Sequence, residues 1–191
     1  MEELEFMLFK EEKSDIQSEW DKQTSIVSKG KVVTVFLNDE IYEPGAYNEL
    51  CYTLENTVAD EVRLYMNNGG GQLDSMLSII ASMERCGCEI TGVLSGTVAS
   101  AATMIALQCD KLEVADHTSF MIHSASGGNG GKLHETKAYM EFNDKNVRNI
   151  LHDMYKDFLT EPEIKRVLDG KDMWMGKDEV LERFARMKDA K

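Results

Sequence analysis

The chain reads as an α/β fold with largely parallel strand pairing, and three observations carry that reading. From Lys31 onward, short β-branched runs alternate with segments of helical periodicity. Several strand runs end directly in glycine-rich or small-residue stretches, NNGGG, SGTVASA and SASGGNGG. The length, 191 residues, suits one domain whose core needs neither a disulfide nor a metal.

Residues 1–30 are charged and weakly periodic, with LEFMLF as one short apolar patch, and are expected to form an arm ahead of a domain over 31–191. VVTVFL (32–37) is nearly continuous and reads as a buried strand. Pro44 then opens a helix, where its missing N–H is not needed. Tyr47, Leu50, Cys51 and Leu54 share one face of that helix. VRLYM (62–66) is the next strand, followed by a helix with Leu73, Met76, Leu77, Ile80 and Met83 on its apolar side. EITGVL (89–94) is a strand, and 95–107 grades from small residues into a helix. KLEVA (111–115) and SFMIH (119–123) are two short strands. After the glycine-rich stretch 124–131, a long amphipathic helix is predicted over about 133–159, either packed on its own domain or covered by another subunit. Pro162 restarts a short helix, and a last one runs over 178–187.

Charge narrows the function classes. Lys+Arg number 21 and Asp+Glu 34, a formal net charge of -13. No surplus of cations is available to displace counterions from nucleic acid or to dock on anionic lipid. The apolar runs fall far short of the ~20 residues that span a bilayer. The acidic start, MEELEFMLFKEEKSD, lacks the features of a secretory signal, so a soluble cytoplasmic protein is expected. Cys51, Cys86, Cys88 and Cys109 are scattered without zinc spacing, so no metal is expected and the thiols read as reduced apolar side chains. Neither glycine stretch fits a nucleotide-phosphate loop or a dinucleotide fingerprint, and no cofactor is expected.

Three places offer chemistry. The cluster 68–71 follows a strand and precedes a helix, so it is either a tight turn or a loop whose N–H groups meet an anion. Ser100 lies where a strand gives way to a helix, as a spacer in a close-packed turn or as a nucleophile with free N–H groups beside it. His123 ends an apolar strand before a glycine loop, as a satisfied histidine at the core's edge or as a general base. His134 and His152 read as surface residues, and His117 sits in a turn.

In combination these pieces resemble the ClpP family of Clp protease proteolytic subunits. YMNNGGGQLDSM resembles the family's YINSPGG segment, GTVASAATM its nucleophile turn, FMIHSASGGNGGK its M-I-H segment, and KDMWMGKDEV the segment carrying a third catalytic residue. The resemblance spans about 31–180 and implies a crotonase-like fold of repeated ββα units with a long handle helix. It implies Ser100 as nucleophile, His123 as general base and Asp172 as orienting carboxylate. Gly70 and Ala101 fall on the oxyanion-hole N–H donors. Gly71, Gln72, Ser124, Ala125 and Ser126 fall on the substrate-binding backbone. The implied assembly is a homo-oligomeric ring of seven, or a double ring, fed unfolded protein by an AAA+ unfoldase that hydrolyses the ATP. Several residues depart from the pattern. Gly69 replaces a proline, Ser124-Ala125 replace Gln-Pro, Gly176 replaces a serine, and the usual terminal segments are missing. Such a trimmed, acidic variant also fits a phage capsid-maturation protease without an unfoldase, or an inactive structural subunit. A crotonase-fold acyl-CoA hydratase would want paired carboxylates near the glycine loop, where the sequence places only Asp74.

Overall fold

The valine-rich runs of the first half become the middle of a seven-stranded sheet. The computed structural model describes residues 24–125 and 133–190, the second stretch in side-chain detail from residue 139. β2 (Val32–Leu37), β3 (Glu61–Asn68) and β4 (Glu89–Ala99) lie side by side and parallel. Val33, Val35, Leu37, Val62, Leu64 and Met66 alternate into the core along the first two of these strands. A one-residue slip would turn that whole set outward, so the core fixes the register.

The two edges are antiparallel. β1 (Ser25–Lys29) pairs with β2, and β7 (Met173–Met175) pairs with β6 (Ser119–Ile122). Lys29 faces Val32, so Gly30 and Lys31 form the turn between β1 and β2. The domain boundary expected at Lys31 therefore falls inside a hairpin, and the sheet begins within the region expected to be an arm. Strand β1 was hidden by its exposure, because an edge strand with polar neighbours lacks a buried alternation. The rest of the expected arm, up to residue 23, lies outside the described residues.

β4 holds two partners along its length. Thr91–Leu94 pair with β5 (Lys111–Val114), and Thr97–Ala99 pair with β6. Both pairings are parallel. The strand therefore runs past the expected end at Leu94 and ends directly before Ser100. Ser95 and Gly96 carry little strand propensity, and Thr97–Ala99 beyond them are held by distant partners. Their pairing comes from β6 and from Asn67, whose Oδ1 accepts the Thr97 N–H at 3.0 Å.

Pro44 opens a 3₁₀ turn (Pro44–Tyr47) that leads into α1 (Asn48–Asn56). α2 (Leu73–Glu84) follows β3, and α3 (Ala101–Gln108) follows β4. α1 packs on α2 and α2 on α3. Every residue from Ala101 to Leu107 is buried, as expected of a helix apolar on all sides. The long helix, α4 (Leu133–Tyr155), stops short of the expected residue 159, and Phe158 and Leu159 turn into the core. Leu151 and Tyr155 bury the second half of α4, whereas Tyr139, Met140 and Phe142 in its first half are 51%, 54% and 68% exposed. α5 (Glu161–Leu168) and α6 (Lys177–Asp189) flank β7. The expected α/β class is thus the observed one.

Candidate active site

Ser100 occupies the single position between β4 and α3, at φ 56° and ψ −129°. A residue with a Cβ is strained there, so neighbours must hold it. Its N–H donates to the Met121 carbonyl on β6 at 2.9 Å. Its carbonyl accepts from the Thr103 N–H at 2.9 Å and from Thr103 Oγ1 at 2.6 Å. Thr103 Oγ1 also lies 2.6 Å from the buried Tyr155 hydroxyl at the end of α4. With the threonine's single proton directed at Ser100, Tyr155 is the donor in that pair. Burial raises the Tyr155 pKa and keeps this hydroxyl protonated.

The glycine loop crosses directly over this turn. Gly70 has φ +95°, and a Cβ on it would lie 2.6 Å from Ser100 Cβ and 2.7 Å from the Ala99 carbonyl oxygen. A Cβ on Gly71 would overlap the Ile41 carbonyl. Only glycine allows both approaches. The loop is tied down by the Ile41 N–H donating to Gly70 O at 2.7 Å and the Gln72 N–H donating to Ile41 O at 2.8 Å. The buried Asn68 amide donates to the carbonyls of Leu37 and Asp39, and its Oδ1 accepts the Gly70 N–H at 2.8 Å. The expected oxyanion donor Gly70 is thus already directed at Asn68. Ala101 opens α3, so its N–H has no acceptor within the helix. The Gly71 N–H likewise has no acceptor among the described residues.

A cavity of about 850 Å³ brings Ser100, Ala101, His123, Gly70, Gly71, Gln72 and Ala125 together. Met104 and Leu151 supply its apolar wall, and Asn38, Asp39 and Glu40 a polar one. His123 directly follows β6 and is half-buried. Among the described residues no hydrogen bond joins Ser100 Oγ to the His123 ring, or that ring to Asp172. Asp172 is exposed and outside the cavity lining. The β6–β7 pairing ends at Ile122 and Met173, so His123 and Asp172 are the next residues beyond that last pair. Asp169 is the C-cap of α5. Ser124 is half-buried beside His123, and Ser126 lies outside the described residues.

The other described histidines stand apart from the cavity. His117 is in the β5–β6 turn, and His152 pairs with Glu161 at 3.1 Å on the surface. Among the described residues no group of three or more His, Cys, Asp or Glu is placed to hold a metal, and no helix is long and apolar enough to cross a membrane.

Sequence reasoning missed Asn68, Thr103 and Tyr155 as supports of the site, and Asp39 and Glu40 as part of its wall. Asn68 left a signal, since an asparagine before a glycine run often bonds the local backbone. Tyr155 left none, because on an apolar stripe it looks like any core aromatic.

Parallel strands thus hand a strained serine to a buried helix, under a glycine loop and in one cavity with His123, on an α/β scaffold. The chain belongs to the Clp protease family, whose pattern it matches over residues 11–183. Among curated proteins it is similar to the ATP-dependent Clp protease proteolytic subunits of Streptococcus salivarius and Streptococcus thermophilus, at 29% identity over 126 residues. The match spans 64% of this chain and 64% of each relative's length. A protein of the same description from Streptococcus suis is 31% identical over 78 residues, 40% of each chain.

Proposed function

We propose that this chain is a serine endopeptidase that cleaves unfolded polypeptides inside a ring of its own copies. The observation that carries this reading is Ser100, held at positive φ on a strand–helix turn, under Gly70 and in one cavity with His123. Ser100 Oγ attacks the scissile carbonyl, His123 takes the hydroxyl proton and returns it to the leaving amine, and Asp172 orients the ring. Both transfers need side-chain rotation to complete the hydrogen bonds, which tighten in many enzymes only with substrate present. The Ala101 N–H supplies one oxyanion donor. The second is the Gly71 N–H, or the Gly70 N–H once it leaves Asn68.

An extended peptide lies against Ser124, Ala125 and the Gly71–Gln72 backbone. Membership of the Clp protease family and the exposed apolar residues on α4 support the ring, of seven subunits or two such rings stacked. An AAA+ unfoldase supplies the ATP-driven step. The acidic pair Asp39 and Glu40 is the one feature that favours a thioester hydratase. Both are exposed, and a net charge of -13 disfavours a polyanionic coenzyme A substrate.

The test is a fluorophosphonate probe followed by peptide mapping. Ser100 should be labelled, and Ser100→Ala or His123→Ala should each lower peptidase turnover by on the order of 10⁴- to 10⁶-fold. The double variant should be hardly worse than either single one. A folded protein that the probe leaves unlabelled would make this chain an inactive structural subunit.

A further inference from the structure

Cys86 and Cys88 flank Gly87 in the turn between α2 and β4, at the opposite end of β4 from Ser100. Their sulfur atoms are 3.1 Å apart. Both side chains are half-buried, and both line a cavity of about 540 Å³ with Glu84, Glu89 and Asp110. A disulfide needs sulfurs ~2.05 Å apart, so a shift of about 1 Å makes the bond. Gly87 has open space where a side chain would stand, so the backbone between the two cysteines is uncrowded there, while Cys86 and Cys88 themselves pack against the core. The base of the turn is firm, because Asp110 Oδ2 accepts the Ile90 N–H at 2.8 Å.

We propose that Cys86 and Cys88 form a reversible dithiol–disulfide pair, a redox modification site that exchanges with small disulfides of the glutathione type. Burial and the adjacent Cys86 push the Cys88 thiol up to about 12, so Cys88 keeps its proton and Cys86 is the sulfur that attacks first. The Cys86 thiolate attacks one sulfur of the small disulfide, breaking its S–S bond and releasing one thiolate. Cys88 then loses its proton to solvent and attacks Cys86 Sγ of the mixed disulfide, releasing the second thiolate. Two cysteine thiols are oxidised and one small disulfide is reduced to two thiols. The neighbouring carboxylates repel anionic glutathione, which favours its departure over a lasting adduct. Cys109 is fully buried, and its thiol is pushed up to about 12, while Cys51 contacts the Ser78 carbonyl at 3.8 Å, so these two serve as internal references.

The experiment incubates the full chain in glutathione buffers of rising oxidised fraction, alkylates the remaining thiols and maps the peptides. Cys86 and Cys88 should lose alkylation together, carry a bond to each other and recover with excess dithiol. Cys88→Ser should trap glutathione on Cys86, and Cys86→Ser should take up far less. Any other wild-type result overturns the proposal: a stable glutathione adduct, a bridge to Cys51 or to a second copy, or full alkylation in wholly oxidised glutathione.

Discussion

Asp172, proposed to orient His123, lies directly before the three-residue strand β7, whose last pair with β6 is Met173 and Ile122. Replacing Asp172 with asparagine keeps the shape and favours the wrong imidazole tautomer, so turnover should fall by roughly 10⁴-fold. Asp169→Asn should be mild, because that residue is the C-cap of α5 and is not next to the β6–β7 pairing. Steady-state kinetics on an unfolded substrate decides the order, and the reverse ranking moves the orienting role to Asp169. A second carboxylate, Glu163, concerns stability. Arg183 reaches both its oxygens at 2.8 and 3.0 Å, and the Thr160 N–H and hydroxyl donate to Oε2 at 2.8 and 2.9 Å. Arg183 foremost, with those two donors, lowers the Glu163 carboxyl pKa to about 2. The folded value is depressed, so the stabilisation is full above the unfolded value of ~4.3 and is lost as pH falls toward the folded one. Glu163→Gln should cost about 1–3 kcal/mol in denaturant melts at pH 7 and much less near pH 2.

At the scale of elements, the long helix α4 reaches the serine turn of α3 through two hydroxyls. Tyr155→Phe removes one donor, and Thr103 still bonds the Ser100 carbonyl, so the loss should be about 1 kcal/mol. Thr103→Val leaves the buried Tyr155 hydroxyl without its partner and frees the Ser100 carbonyl, so it should cost more, about 1–3 kcal/mol. The double variant should cost less than the two single losses added, because they share one bond. Chemical denaturation of the four proteins measures this. The same elements show what can be read from sequence. Val33, Val35, Met76 and Ile80 announce their strand and helix, since burial imposes period two or period 3.6 on them. The Ser100 turn and the Gly70 loop were legible because their residue types suit few other conformations. β1, β7 and the end of β4 were not, because partners distant in sequence make them strands. Asn68 bonding Gly70 was not legible either, as it depends on where β2 ends.

For the whole molecule, the charge of -13 opposes gathering several copies, while exposed Tyr139, Met140 and Phe142 favour it. The assembly should therefore grow or become more stable as salt screens the repulsion, over a Debye length of ~10 Å at 0.1 M. Ile150 and Met154 pack against the chain's own core, and Met154 Sδ accepts from Gln108 at 3.7 Å. Acidic substitutions there should weaken the fold as well as any assembly. Tyr139→Glu and Phe142→Glu should split the oligomer and leave the melting temperature of the subunit nearly unchanged. Light scattering at low and moderate salt checks this, and a monomer at every salt concentration would remove the ring and its enclosed chamber.

The contact between Gly70 and Ser100 also bears on inheritance. Any side chain at 70 collides with Ser100 Cβ and with the Ala99 carbonyl oxygen, which belongs to the backbone. No replacement at 99 moves that oxygen. At 100, only glycine removes the Cβ, and it removes the hydroxyl too. A lineage that loses Gly70 therefore has no compensating change at either neighbour. Selection for regained activity from Gly70→Ala should recover revertants at codon 70 and no suppressors at 99 or 100.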